Sequence, residues 1–296
     1  MNSNNQEAKI SHQGQENRGY TLQDHSNVIT LRKKGISFGK IAKKVNISSA
    51  TIQLWIKTSR KPRYLYAKRQ QRQLSIKSRR LSSELSYIYG VLIGDGYLEK
   101  SKLSNRITLQ VTDKEFAREF YNVLKNWSGF EPTWRESLRV CCHRTKYGNL
   151  INCRSYFYIV RLGSKQAVNF VSKNLKCKTK DWNIPRCIKN TNNKIIFAFF
   201  KGLFDSEGCA IYSPKYNKGR IDLRMYGKQV KNLQNLLKKV GIESTVTQGK
   251  IEKQRGMYIL RILRKNSIKL FAENIGFVIN RKRKILSKIL TSYRTI

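Results

Sequence analysis

Two carboxylates stand at matching places in a repeated phrase. Asp95 closes the run Ile88-Tyr89-Gly90-Val91-Leu92-Ile93-Gly94-Asp95-Gly96, and Glu207 closes Phe200-Lys201-Gly202-Leu203-Phe204-Asp205-Ser206-Glu207-Gly208. Each run is apolar and helix-like, with small residues four apart: Gly90 and Gly94 in one, Gly202 and Ser206 in the other. Residues i and i+4 share a helix face, so each run offers a flat strip on which another backbone can lie. Helices that meet along those strips bring Asp95 and Glu207 out side by side. Converging carboxylates are the donors that divalent metal ions take. Asp205 is a near neighbour, but its counterpart is Ile93, so a minor role is expected of it.

The charge of the chain points the same way. Its 296 residues hold 60 Lys+Arg against 18 Asp+Glu, a net +42, and no acid occurs between Asp24 and Glu84. Phosphate contacts supply most non-specific affinity for nucleic acid, so an excess of this size implies a polyanionic partner. A ribosomal or packaging protein can be as basic, yet it has no need of two apolar helices that end in carboxylates. No apolar run is long enough to span a bilayer, which argues against a membrane protein. The first residues are polar and include Glu7 and Glu16, matching neither a signal peptide nor a transit peptide. An intracellular place, cytoplasmic or organellar, is expected. None of the six cysteines forms a C-x2-C pair; Cys141, Cys142, His143 and Cys153 are the one cluster to examine for metal, and reduced thiols are expected.

Five segments follow from composition and pattern. Residues 1–20 are rich in Asn, Gln and Ser and are expected to be disordered. Residues 21–58 read as a small all-α domain: Val28, Ile29 and Leu31 precede Gly35, Ser37 precedes Phe38, Ile41 and Ala42, and Ser48 or Ser49 precedes Ile52, Trp55 and Ile56. The phrases Gly35-Ile36-Ser37-Phe38-Gly39-Lys40-Ile41-Ala42 and Ser49-Ala50-Thr51-Ile52-Gln53-Leu54-Trp55-Ile56 resemble helix-turn-helix domains of recombinases and transposases. In that motif the second helix enters the major groove, which makes Ser49, Thr51, Gln53 and Lys57 candidate DNA contacts. Residues 59–82 form an acid-free basic linker, expected to lie along the DNA backbone.

Residues 83–190 and 191–296 are two copies of one unit. Ile107-Thr108-Leu109-Gln110-Val111-Thr112-Asp113-Lys114 follows the first phrase and Ile221-Asp222-Leu223-Arg224-Met225-Tyr226-Gly227-Lys228 the second, both alternating as strands do. Each leads into a helix, about 114–127 and 228–240, that ends at Gly129-Phe130-Glu131-Pro132-Thr133 or Gly241-Ile242-Glu243-Ser244-Thr245. Val160-Arg161-Leu162 then matches Leu260-Arg261-Ile262. An insertion near Leu138 to Arg154 in the first copy explains the change of offset. Each copy therefore reads helix, two strands, helix, two strands, helix.

The repeated phrase and this order of elements resemble the LAGLIDADG homing endonucleases of the two-motif, single-chain type. The resemblance implies an α+β fold in which duplicated αββαββα repeats form a saddle of two antiparallel sheets over the major groove. It makes Asp95 and Glu207 the metal-binding carboxylates, with Lys114, Lys228 and Lys282 as further catalytic residues. Asp113 departs from the Gln often found there, and Gly227 replaces it in the second copy. The outward strand residues Arg106, Thr108, Gln110, Thr112, Arg220, Asp222, Arg224 and Tyr226 become candidate DNA contacts, Arg and Gln being the side chains that read guanine and adenine. The implied activity is a monomeric, Mg2+-dependent endonuclease, with Mn2+ able to substitute, that cuts double-stranded DNA to leave short 3′ overhangs. An RNA maturase acting on its own intron RNA and a non-catalytic DNA-binding regulator are the alternatives.

Overall fold

Helix α1 (Leu22–Lys33) begins where Thr21 and Asp24 cap each other: the Asp24 amide donates to the Thr21 hydroxyl at 3.1 Å, and the Thr21 amide donates to the Asp24 carboxylate at 2.7 Å. Helix α2 (Phe38–Val45) stops at Asn46, whose left-handed conformation turns the chain. Helix α3 (Ser49–Thr58) starts under the Ser48 hydroxyl, which accepts from the Thr51 amide at 3.2 Å. Val28, Ile41, Ile47, Ile52 and Trp55 close over one another as the core of this bundle. The three helices belong to the first of two units, Met1–Gln71; the second is Arg72–Ile296. The computed structural model describes residues 20–58, 73–101, 104–144, 150–177 and 181–293. All but Tyr20 of the expected disordered tail (1–20) and residues 59–72 of the expected linker (59–82) lie outside the described residues.

In the second unit the first repeat runs α4 (Ser83–Ile93), β1 (Gly96–Lys100), β2 (Asn105–Val111), α5 (Lys114–Ser128), β3 (Thr133–Arg144), β4 (Leu150–Gly163), α6 (Lys165–Asn174) and the single turn α7 (Arg186–Lys189). The second repeat runs α8 (Asn193–Glu207), β5 (Gly208–Ser213), β6 (Lys218–Tyr226), α9 (Val230–Lys239), β7 (Thr245–Thr247), α10 (Lys250–Arg255), β8 (Met257–Ile262), α11 (Lys265–Asn274) and α12 (Asn280–Ser292). Each repeat makes a four-stranded antiparallel sheet, in the orders β1-β2-β4-β3 and β5-β6-β8-β7. The registers correspond too: Gly96 faces Leu109 as Gly208 faces Leu223. Gly129 and Gly241 end α5 and its counterpart α9 with φ of +71° and +81°, a conformation that glycine adopts without strain. The chain has the α+β fold with two antiparallel sheets. The insertion is the long β3–β4 hairpin, where the second repeat has only the short β7, α10 and β8.

One core serves both repeats. Leu85, Ile88, Leu92, Phe199, Phe200, Leu203 and Phe204 fill its centre on α4 and α8, and full burial of each such side chain contributes about 2 kcal/mol. The two helices touch backbone to backbone. A β-carbon on Gly90 would run into the Phe199 carbonyl and lie 2.8 Å from the Leu203 amide nitrogen. One on Gly202 would meet the Tyr87 carbonyl and lie 3.1 Å from the Val91 nitrogen. The Ser86 hydroxyl donates across the pair to the Ile195 carbonyl at 2.7 Å.

The basic run is not linker to its end. Leu74 is buried in the core of the second unit, and its amide donates to Gln166 Oε1 at 2.8 Å. The Trp127 indole donates to the Ser78 carbonyl at 2.8 Å. Residues 73–80 thus pack on the first repeat, because Leu74 supplies an apolar anchor amid the charge.

Candidate functional site

Glu207 is the last residue of α8, and Asp95 lies two residues beyond the end of α4. The glycine contact brings these ends together. A β-carbon on Gly94 would sit 2.9 Å from Ser206 Oγ and 3.2 Å from Glu207 Cγ. Both carboxylates keep contact with solvent, yet protein surrounds them closely enough to disfavour their charged forms. Burial raises the Asp95 carboxyl; Lys282 opposes the rise, and Asp113 adds to it. Glu207 is pushed up to about 7, first by burial and then by the charge of Asp95, against the pull of Lys282. The two groups therefore share one electrostatic site. The partial negative charge at the two helix C-termini adds to the attraction for a cation.

Lys282 is the cation that the structure brings to this site. It is only 5% exposed. Its ammonium donates to the carbonyls of Phe204 (3.1 Å), Asp205 (2.5 Å) and Ser206 (3.3 Å), satisfying the last turn of α8. Burial lowers its pKa. Its neighbour Arg281 grips Asp113 through Nε (3.0 Å) and Nη2 (2.8 Å), and Asn280 donates to Glu115 at 2.8 Å. These contacts tie the start of α12 to the start of α5 and hold Lys282 between the repeats.

Asp205 is a structural residue. Only 1% exposed, it accepts from the Val278 amide at 2.8 Å and from the Tyr87 hydroxyl at 3.1 Å, and burial lifts its pKa to about 6. The Lys114 ammonium lies 3.4 Å from Glu136 and 5.5 Å over the Tyr158 ring, and no described contact joins it to Asp95 or Glu207. Lys228 is exposed ahead of α9, and no described contact joins it to Glu207. Position at a strand end did not indicate that the Lys114 ammonium would lie beside Glu136.

The strand residues divide. Arg106, Gln110, Thr112 and Arg224 are exposed, and Arg220 and Tyr226 half-buried. Thr108 and Asp222, expected outward and open, are buried at 0% and 1% exposure. They do point away from the core, since Ile107, Leu109, Ile221 and Leu223 fill it. Neighbours on the outer face cover them instead. Their register partners Arg161 and Arg261 lie on that same face, and sequence reading missed both, although Val160-Arg161-Leu162 and Leu260-Arg261-Ile262 alternate plainly. In the first unit Lys57 is exposed, while Ser49, Thr51 and Gln53 are half-buried and the Thr51 hydroxyl lies 2.7 Å from that of Ser48. The side chains of Cys141, Cys142, His143 and Cys153 lie outside the described residues; Cys177, Cys187 and Cys209 are free thiols. No helix among the described residues is long and apolar enough to cross a membrane.

Residues 194–276, within the second repeat, match the family described as the LAGLIDADG-like domain. With the duplicated fold and the paired motif ends, this places the chain in the LAGLIDADG family. It is 31% identical to the uncharacterized protein MJ0398 of Methanocaldococcus jannaschii over 90% of this chain and 92% of that one. Its fold is similar to that of the homing endonuclease I-WcaI bound to its DNA recognition sequence, with 17% identity and a TM-score of 0.50 over 70% of this chain and 87% of that chain. Full-length DUF199/WhiA from Thermatoga maritima aligns at 16% identity and a TM-score of 0.44, over 74% of this chain and 65% of that one.

The raised Glu207 pKa has a thermodynamic consequence. A carboxyl whose folded pKa lies above its unfolded value destabilises the fold once pH passes the unfolded value, near 4.5, and most fully above about 7. Glu207→Gln is therefore expected to raise the melting temperature in EDTA at pH 8 and to change it little at pH 4.5. Thermal melts of both proteins at the two pH values check this; equal shifts at both would show that Glu207 is not strained by charge.

Proposed function

We propose that the chain is a divalent-metal-dependent, site-specific endonuclease that cuts both strands of double-stranded DNA and leaves short 3′ overhangs. The observation that carries this reading is the convergence of Asp95 and Glu207 at the ends of the packed helices, close enough that the charge of Asp95 raises the Glu207 carboxyl. The donor chemistry suits Mg2+, or Mn2+ in its place. Two carboxylates repel, and a divalent cation relieves the repulsion. Among the described residues no group of three His, Cys, Asp or Glu side chains is gathered. Asp95 and Glu207 would thus hold the ion while phosphate and water complete its shell, the usual manner for Mg2+. Bound there, such an ion would supply Lewis-acid chemistry for phosphodiester hydrolysis.

The chain's own residues supply the rest. Lys282 holds the end of α8, and with it Glu207, at a fixed place beside Asp95, and its charge keeps both carboxylates more acidic than burial alone would allow. The exposed arginines of the two sheets meet phosphates and base edges. The small helical unit acts as a helix-turn-helix module, with Ser49, Gln53 and Lys57 on its second motif helix, and adds affinity through further phosphate contacts. A single chain carries both repeats, so a monomer suffices for two cuts.

Incubating the purified chain with a randomised duplex library tests the proposal. One sequence should be cut in Mg2+, and none in EDTA. Cutting in EDTA would refute the metal mechanism. Base-selective binding without cutting in Mg2+ or Mn2+ would instead favour the regulator, and selective binding of intron RNA alone the maturase.

A further inference from the structure

We propose that Asp222 is a positioning residue that sets Arg220 and Arg261 for base recognition by the second sheet; the inference rests on the DNA-cutting reading above. Asp222 sits in the middle of β6 on the face away from the core, among the residues that would meet a duplex. A carboxylate there repels phosphate, and in a chain of net charge +42 it needs a reason. Its side chain is 2% exposed, whereas those of Arg220 and Arg261 are 42% and 32% exposed. The acid therefore lies beneath two guanidinium groups and is hidden from any phosphate by them.

The geometry gives the two arginines different holds. Arg220 Nε donates to Asp222 Oδ2 at 3.3 Å. No protein partner for its terminal nitrogens is found among the described residues. Arg261, directly across the strand pair from Asp222, has Nε 3.7 Å from the same oxygen and Nη1 donating to Thr247 on β7 at 3.3 Å. Asp222 Oδ1 and Arg261 Nε are buried without hydrogen-bond partners, so the Arg261 side of the network is the looser. Steadied at Nε, Arg220 keeps its terminal fork free, and guanine presents O6 and N7 to such a fork; Arg261, held at Nη1, keeps Nη2 and the second Nη1 hydrogen to donate. Fixing a long side chain before binding removes part of the ordering cost that binding would otherwise carry.

The first sheet lacks the device. Thr108 occupies the position of Asp222 and faces Arg161, but it has no charge, and its buried hydroxyl has no partner. Arg106 instead lies 3.7 Å from Glu99 on the edge strand. The half of the target beneath the second repeat should thus be read more sharply at the bases that Arg220 and Arg261 reach.

Equilibrium selection of a randomised duplex library by the full chain in EDTA tests this, with Asp222→Asn, Asp222→Thr and Arg261→Lys beside the unaltered protein. Base preference should fall on the order of tenfold at a short group of positions in one half-site. The other half-site should be unchanged, and affinity for random DNA equal or higher, since a negative charge has gone. Arg261→Lys keeps the charge without the fork and should blunt the same positions, which covers the case of an unstable Asp222 variant. Preference retained in all variants, or lost evenly across both half-sites with a lower melting temperature, would overturn the proposal and leave Asp222 a plain ion pair of the fold. An unaltered protein without base preference would overturn the DNA-cutting reading itself and this inference with it.

Discussion

Asp95→Asn and Glu207→Gln are each expected to lower double-strand cleavage by about two to three orders of magnitude and to leave target binding nearly intact. A metal ion acting as a Lewis acid supplies several kcal/mol of transition-state stabilisation, and about 1.4 kcal/mol is a factor of ten in rate. Binding should persist because it resides in the sheet faces and the charge, away from the helix ends. Each substitution also removes a negative charge from a site that phosphate must approach. Lys282→Met is a useful companion, since it loosens the grip on the end of α8 without touching a carboxylate. Cleavage time courses and affinity measurements on one duplex decide the matter. Near-normal cutting by either carboxylate variant would end the assignment of the pair.

The second large effect concerns the contact between α4 and α8 in the second unit. Gly202→Val should cost about 3 kcal/mol or more of unfolding free energy, because its branched side chain has only backbone to meet: the Tyr87 carbonyl and the Val91 amide of α4. Backbone cannot rotate aside as a side chain can, so the helices must part, and the shared core opens with them. Gly163→Ala is the control. A β-carbon there has nothing within 4 Å, and the change should stay within about 0.5 kcal/mol. Chemical denaturation of the two variants measures both. A Gly202→Val protein as stable as the original would mean that α4 and α8 do not rest on each other as described.

Much of this fold was legible because its signals are local and occur twice. The spacing of Gly90, Gly94, Gly202 and Ser206 fixed a helix face, and the alternation around Ile107 and Ile221 fixed which strand side meets the core. Both are periodicities, and periodicity survives without knowledge of the partner. What escaped depends on contacts between distant residues. Leu74 lies within a run whose composition is that of a charged tether, and only its burial beside the first repeat marks it as core. Thr108 and Asp222 face outward as alternation requires, but the arginines that cover Asp222 come from elsewhere in the sheet, and alternation says nothing of cover. Lys114 sits where a strand ends, yet a lysine's four-carbon stem lets the ammonium choose its partner, and Lys114 chose Glu136. Lys282 came out close to the site because its backbone, held by the Arg281–Asp113 pair, leaves it little choice.

The equivalence of Thr108 and Asp222, each facing an arginine across its own strand pair, also bears on inheritance. In a two-fold assembly of identical chains every substitution appears on both sides, so the reader stays symmetric and its target remains a palindrome. Here the equivalent sites are separate codons in one chain. One copy carries a neutral hydroxyl where the other carries a charged anchor, and neither residue obliges the other. The same independence produced a long hairpin on one side and a three-residue strand on the other. On the DNA-cutting reading, change in one copy would then follow a mutating target while the opposite copy preserves its hold, so that the molecule would retune by halves.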